Sequence, residues 1–250
     1  IRPDMHLSII QRISSEYFRI FVLVSGHRYH AFYNIYRYNI LHGSLYFSEA
    51  TDEQLKRFMP PVLRDGHLGS FGLTEPTAGS DVSGMLTFAQ RDGDEYIING
   101  SKCFITNGPL SDYFAVYALT DKEAGPKSMA CFVVEKGTPG FVIGTRHNTM
   151  GLRSAMVCEL YFTDCRVPVA NMIAAPGKGF GLAMKTLDGG RIGVGAQGLG
   201  IAEGAWEIAR KYLMERQQFG KPLCKQQTFA FNISDADIYI IRQSVSRMSV

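Results

Sequence analysis

One loop-like stretch of this 250-residue chain contains residue types suited to binding a phosphate or the polar edge of a ring. Residues 71–81 read FGLTEPTAGSD, an apolar strand end that runs into a turn. Pro76 fixes its own φ and keeps the preceding residue extended, and Gly79 permits a positive φ or the close approach of a ligand. Thr74 and Ser80 add two hydroxyl groups, and several loop amides can converge on one spot. An ordinary surface turn is the alternative, which the loop composition by itself favours.

A second stretch, residues 103–108 with the sequence CFITNG, changes that balance. It follows two strand-like runs, 86–91 and 94–99, and the Asp-Gly pair at 92–93 between them is typical of a hairpin turn. The Asn-Gly pair at 99–100 predicts another tight turn. A glycine-hinged loop followed by a meander that ends in aromatic-Ile-Thr-Asn-Gly is a specific combination.

This combination resembles the acyl-CoA dehydrogenase family of flavoproteins, in which the same two segments wrap the flavin. The resemblance runs from about residue 53 to residue 250, and residues 187–193 (LDGGRIG) look most like short-chain, butyryl-type members. Agreement of several spaced motifs is more specific than any one of them. The other matching motifs, in chain order, are 138–140, 151–154, 162–168, 177–181, 187–191 and 215–220.

Composition is that of a globular chain with its own core, with 46% hydrophobic and 12% aromatic residues. The net charge of +3 comes from interspersed acids and bases, which gives no support for a nucleic-acid or membrane-surface partner. Arg28 and Arg37 lie among tyrosines, but no RNP-like pattern accompanies them. The most apolar run, 20–24, is far shorter than the roughly 20 residues of a membrane span.

Cysteine and histidine spacing predicts no metal site. The cysteines are odd in number and lack CxxC spacing, so we expect reduced thiols in a reducing compartment. His27 and His30 could share a helix face, but neither a third ligand nor an acid lies nearby in the sequence. The five cysteines are Cys103, Cys131, Cys158, Cys165 and Cys224.

The predicted fold class is α+β, with a central antiparallel β-barrel or orthogonal sandwich flanked by helical regions. We divide the chain into an N-terminal helical region (1–66), a β domain that binds flavin and acyl-CoA (67–170), and the first part of a C-terminal helical bundle (171–250). Hydrophobic alternation near period two supports the β domain, and helical spacing supports the last region.

The sequence predicts the bounds of one helix and of several strands. Residues 51–63 predict an amphipathic helix that Thr51 or Asp52 caps and that the prolines at 60–61 stop or kink. After the hairpin, the predicted strands are 113–119, 129–134, 141–144 and 157–162.

Residues 193–198 (GVGAQG) match the G-x-G-x-x-G pattern of a Rossmann dinucleotide turn, with Glu215 at a roughly suitable distance. That turn needs a buried strand before it, whereas residues 182–192 look helical. We therefore interpret these glycines as allowing close helix packing and expect the β domain to bind the flavin.

The resemblance implies individual roles. Phe104 occupies the position of an aromatic ring against the isoalloxazine, Thr106 that of a hydroxyl near flavin N5, and Arg216 that of a contact to a neighbouring subunit's FAD. Ser80, Asp188 and Arg191 match substrate-binding positions. The full set implied for the cofactor is Phe71, Leu73, Thr74, Ser80, Phe104, Ile105, Thr106, Arg216, Gln218, Phe219, Gln226 and Gln227.

The family chemistry needs a carboxylate base, and this sequence shows none at the matching positions. The usual Glu of a late Tyr-Glu-Gly-Thr segment is missing, and the other known position corresponds to Gly190. We therefore expect the chain to be C-terminally truncated, with the base and further bundle helices beyond Val250.

The implied function is FAD-dependent α,β-dehydrogenation of a short-chain acyl-CoA to the trans-2-enoyl-CoA, a step of fatty acid β-oxidation. Implied partners are an electron-transfer flavoprotein and further copies of the chain, as a dimer of dimers, in the bacterial cytoplasm or mitochondrial matrix. The alternatives are an acyl-CoA oxidase of the same fold and a flavin- or CoA-binding subunit that lacks the base. Only the Arg/Tyr-rich start supports a nucleic-acid role.

Overall fold

A computed structural model describes residues 49–150 and 155–246. Internal contacts divide the molecule into two units, residues 34–190 and residues 1–33 together with 191–250. Residues 1–48 of the predicted N-terminal helical region, including His27 and His30, lie outside the described residues.

The predicted capped helix is present as α1, Asp52–Arg64. The Thr51 hydroxyl accepts a hydrogen bond from the Gln54 amide at 3.3 Å, and the Gln54 side chain accepts one from the Thr51 amide at 3.0 Å. This capping box satisfies two N–H groups that the first turn leaves without helical partners. The helix continues past its two prolines to Arg64, because its last turn still packs against the core through Val62.

Eight of the described strands form one sheet. They are β1 (Gly69–Gly72), β2 (Phe88–Asp92), β3 (Glu95–Thr106), β4 (Tyr113–Leu119), β5 (Met129–Glu135), β6 (Phe141–Ile143), β7 (Val157–Pro168) and β8 (Met172–Ala174). Their order is β6-β7-β3-β2-β4-β5-β8, with β1 added alongside β4. Because β1 and β2 run parallel to β4, the sheet is mixed and not purely antiparallel. The predicted α+β class is confirmed, and the path of described strands stays open.

The chain around β2 and β3 confirms one predicted turn and contradicts another. The predicted hairpin is present, with Asp92 paired to Glu95, residues 93–94 as its two-residue turn and Gly93 at φ +61°. The turn predicted at 99–100 is wrong, because β3 continues through it and only its register against β7 shifts. Gly100 has φ +145°, and a Cβ there would lie 2.7 Å from the Thr87 Cα, so glycine fits a bulge at a crowded position.

Strand β4 is buried on both faces, and its side chains alternate between two cores. Tyr117 faces the core that α1 covers with Phe58. Phe114 faces a second core. Strands from both ends of the sheet order, β6-β7-β3 and β4-β5, contribute side chains to this core, as in a sandwich. Other large side chains of the second core are Ile98, Phe132, Leu160 and Phe162.

Native thiol titration should reveal one reactive cysteine among five. All five thiols are free, and only Cys224 is partly exposed. Burial raises the pKa of Cys158 and Cys165 to about 11 and that of Cys131 to about 12, and the thiolate is the reactive form. A chromogenic disulfide reagent should therefore label one thiol in the folded protein and the other four only in denaturant. Fast labelling of two or more thiols in the folded protein would contradict this burial.

Helix α2, Gly179–Glu215, follows the sheet and continues without a break through the G-x-G-x-x-G stretch at 193–198. A Rossmann turn needs a strand before its glycines, so that interpretation is excluded here. A hairpin of β9 (Gln217–Gln218) and β10 (Lys221–Pro222) leads to α3, Gln227–Ser246. Among the described residues, no helix has the length and apolar character that crossing a membrane requires.

Candidate functional site

The two stretches that the sequence singles out lie side by side in the unit 34–190. The Cys103 amide donates a hydrogen bond to the Thr74 carbonyl at 2.9 Å, and the Ser70 hydroxyl donates one to the Thr106 carbonyl at 2.8 Å. The loop 71–81 therefore runs along the last residues of β3.

Hydrogen bonds within the loop give it a defined shape. Glu75 and Ala78 exchange two backbone hydrogen bonds, of 2.9 and 3.2 Å. The Asp81 carboxylate accepts from the Ser83 amide at 2.9 Å and caps a short 3-10 turn. Gly79 does not use a positive φ, but no atom lies within 4 Å of the position a Cβ would take, so the loop is open to a ligand there.

Lys102 and Glu75 form a buried ion pair that sequence reasoning missed. The Lys102 Nζ lies 2.7 Å from Glu75 Oε1, and the two side chains are 0% and 3% exposed. Burial lowers the pKa of Lys102, and the Glu75 charge offsets part of that effect. The sequence shows only a lysine before the apolar residues Cys-Phe-Ile and an acid in an earlier loop, which does not by itself predict that the two form a pair.

Acid should weaken what Glu75 contributes to stability. Burial alone would raise its pKa, but the Lys102 charge and the hydrogen bonds to the carboxylate outweigh burial and hold the pKa below the usual 4.5. Such a carboxyl contributes stability above its unfolded-state pKa, and the contribution is lost as pH falls through the folded-state value.

Glu75→Gln should therefore be less stable than the parent protein near neutral pH. The gap between their urea midpoints should narrow as pH falls below about 4. A gap that stays constant on acidification would contradict the depressed pKa.

Phe104 combines backbone strain with exposure. It adopts φ +57°, a left-handed conformation unusual for a bulky residue, and its side chain is 67% exposed. It lies where the register of β3 against β7 shifts, between Lys102 and Ile105. The centroid of its ring is 5.9 Å from that of the His147 ring, and the two ring planes are perpendicular. Strained residues that expose apolar surface are commonly part of functional sites.

Three predicted hydroxyl contacts are free to bind a ligand. Within the described ranges, the hydroxyls of Thr74, Thr106 and Ser80 make no hydrogen bond, and none of these residues is buried. Ile105 differs, because its side chain is buried in the second core, so only its backbone could contact a cofactor. Phe71 is half-buried, with its ring 5.3 Å from that of Tyr117.

The remaining predicted residues lie on α2 and beyond it. Asp188 and Arg191 are exposed and three positions apart on α2, a spacing that places them on one helix face. In the hairpin after α2, the Leu223 amide donates to the Arg216 carbonyl at 2.8 Å, and Phe219 has φ +56° with an exposed side chain. Gln218 lies in the same hairpin, and Gln226 and Gln227 lie at the start of α3.

Two family models match most of the described chain. The model of the acyl-CoA dehydrogenase middle domain matches residues 70–165, and the model of the acyl-CoA dehydrogenase C-terminal domain matches residues 177–245. The chain belongs to the acyl-CoA dehydrogenase family, and the resemblance of its sequence motifs is confirmed.

Individual relatives agree with that assignment. A short-chain-specific acyl-CoA dehydrogenase of Clostridium acetobutylicum is 48% identical over 198 residues, which are 79% of this chain and 52% of the relative. The butyryl-CoA dehydrogenase structure of Megasphaera elsdenii has a TM-score of 0.86 at 41% identity, covering 90% of this chain and 59% of that one. A glutaryl-CoA dehydrogenase of Mycobacterium smegmatis in complex with FADH2 has a TM-score of 0.75 at 30% identity, covering 82% and 52%. This chain spans about half the length of the curated relatives it matches.

Proposed function

We propose that the protein is an FAD-dependent acyl-CoA dehydrogenase that oxidises a short-chain acyl-CoA thioester to the trans-2-enoyl-CoA. The observation that carries this proposal is the attachment of loop 71–81 to the strained, exposed end of β3. The relatives named short-chain-specific and butyryl-CoA dehydrogenase support the reaction and substrate class. The related structure in complex with FADH2 supports the cofactor.

The residues of the β unit fit a flat ring with a polar edge. Phe104 offers an exposed aromatic surface, and the hydroxyls of Thr74 and Thr106 are available as hydrogen-bond partners. We assign the ring surface to Phe104, its polar edge to the two hydroxyls, and further ring contacts to Phe71 and the backbone near Leu73.

A second set of residues suits the other end of FAD. Arg216 is exposed, and an arginine suits a pyrophosphate because its charge is permanent and its donors are forked. Phe219 offers an exposed ring for stacking. With Gln218 and the glutamines at 226–227, these residues would contact the FAD of a neighbouring subunit.

FAD supplies the acceptor for the hydride that leaves the β-carbon of the thioester. Ser80 would bind the thioester arm, and Asp188 and Arg191 the CoA portion. Gly190, at one of the two family positions for the base, has no side chain. We assign the base that removes the α-proton to the part of the relatives' length that this chain does not span. Such a base must be desolvated so that its pKa approaches that of the bound thioester.

The proposal extends to partners and compartment by family likeness. Electrons would pass to an electron-transfer flavoprotein. The protein would assemble as a homo-oligomer, a dimer of dimers, and work in the bacterial cytoplasm or the mitochondrial matrix.

Anaerobic titration with butyryl-CoA of the FAD-loaded protein, extended to the full length of its relatives so that the base is present, tests the function. The oxidised flavin should lose its visible absorption as the thioester is added, and long-chain thioesters should act less well. In that full-length protein, a flavin that is bound but bleached by no thioester would favour the non-catalytic binding subunit. Fast reoxidation of the bleached flavin by oxygen would favour an acyl-CoA oxidase.

Phe104→Gly should stabilise the cofactor-free protein relative to Phe104→Ala by about 1 kcal/mol, because glycine adopts a positive φ without strain. Both variants lose the ring, so both should bind FAD more weakly than the parent and by a similar factor. Urea unfolding measures the stability, and quenching of flavin fluorescence measures the affinity. An FAD affinity unaffected by both substitutions would contradict the role of Phe104.

A further inference from the structure

The Glu75–Lys102 pair links the two stretches of the candidate flavin site from inside the protein. The Lys102 ammonium donates to Glu75 Oε1 at 2.7 Å and to the Leu73 carbonyl at 3.4 Å. The Lys102 side chain of β3 therefore bonds both the Glu75 carboxylate and the backbone of Leu73, the residue before Thr74. Neither charged group is accessible to water.

Glu75 extends this link to residues that follow the loop in the sequence. Its carboxylate accepts hydrogen bonds from the Leu86 amide at 2.6 Å and from the Thr87 amide at 3.0 Å. The start and the end of the segment 73–87 are thereby joined to the same point of β3. A buried carboxylate needs such donors, because unpaired burial of its charge is costly.

The pair also lies at the point where β3 becomes irregular. The register against β7 shifts between Lys102 and Ile105, and the strained Phe104 lies inside that interval. Between Lys102 and Phe104, the Cys103 amide bonds the Thr74 carbonyl. The loop 71–81 is thus hydrogen-bonded to the irregular part of β3, residues 102–105, next to the ion pair.

We propose that Glu75 and Lys102 are positioning residues for the flavin. They set the placement of Thr74 relative to Phe104 and Thr106 without touching the ring themselves. This inference rests on the proposed function and adds to it two residues outside the set expected to contact the ligand. A purely stabilising pair would leave the FAD affinity of the folded protein unchanged.

The test compares Glu75→Gln, Lys102→Met and the double variant with Arg166→Met. Arg166 forms two ion pairs on the same sheet, with Glu95 at 3.0 Å and with Asp92 at 2.9 Å, and because all three side chains are exposed it serves as the control for an unburied cation. FAD affinity is measured by fluorescence quenching under conditions in which each variant is folded. Hydrogen exchange of the Cys103 amide reports the attachment of the loop.

Each variant of the buried pair should weaken FAD binding about 10- to 100-fold and speed exchange at Cys103, whereas Arg166→Met should do neither. The double variant leaves no unpaired buried charge, so it keeps the test decisive if Lys102→Met does not fold. Folded variants with parental FAD affinity would overturn the positioning role. A parent protein that binds no FAD would overturn the proposed function as well, so the two failures are distinguishable.

Discussion

Replacing Lys102 with methionine should lower the free energy of unfolding by about 3 to 5 kcal/mol. Methionine can fill much of the space of the lysine stem, but it leaves the Glu75 carboxylate buried without a countercharge. The carboxylate keeps only the two amide donors from Leu86 and Thr87. Urea unfolding followed by circular dichroism measures the loss.

The matched controls separate burial of the charge from loss of an ion pair. Arg166→Met breaks two ion pairs whose groups are about half exposed, so solvent replaces most of the interaction and the stability should change little. The variant that combines Glu75→Gln with Lys102→Met should recover much of the loss, because it buries no charge. Equal losses for Lys102→Met and Arg166→Met would contradict the effect of burial.

Replacing Gly140 with alanine should lower the free energy of unfolding by about 2 to 4 kcal/mol. Gly140 immediately precedes β6 with φ +81°, where its carbonyl accepts a hydrogen bond from the Thr163 amide at 2.9 Å. A Cβ would overlap the Thr163 carbonyl oxygen and lie 3.0 Å from the Cys165 Cα. These are backbone atoms of the neighbouring strand, so β6 itself would have to move. Thermal or urea unfolding measures the effect.

Gly137 provides the control for strain without contact. It has φ +85° but no atom within 4 Å of the position that a Cβ would take, so Gly137→Ala should cost only the backbone strain, about 1 kcal/mol. Gly79→Ala adds neither strain nor contact and should be close to neutral. Losses of the same size at Gly140 and Gly137 would contradict the steric part of the argument.

Local signals predicted much of the fold. The Asp-Gly pair at 92–93 predicted a hairpin because glycine tolerates a positive φ, and the structure has a hairpin there, with Gly93 as the first of its two turn residues. The capping box of α1 is equally local, since Thr51 and Gln54 bond each other. Such features are decided within a few residues, so the sequence alone can specify them.

The wrong turn prediction arose where distant contacts decide the local structure. An Asn-Gly pair fits a bulge as well as a turn, and only the pairing of β3 with β7 selects the bulge at Gly100. In α1, predicted over 51–63, core packing likewise keeps the last turn helical beyond two prolines that would by themselves favour an end. In both cases tertiary contacts overrode a correct local tendency.

The candidate site shows the same division. Family motifs indicated the loop 71–81 and Phe104, and the structure shows that loop fastened to the end of β3. The strain at Phe104 and the pairing of Lys102 with an acid 27 residues away could not be predicted. A lysine in a sequence is normally expected at the surface, and only the folded sheet shows that this one is buried.

A crystal structure of the protein grown with FAD would measure the central claim most directly, because it locates the isoalloxazine ring. We expect the ring against Phe104, with its polar edge at the hydroxyls of Thr74 and Thr106. A ring bound elsewhere, such as at the glycines of residues 193–198, with Phe104 still exposed, would contradict the assignment.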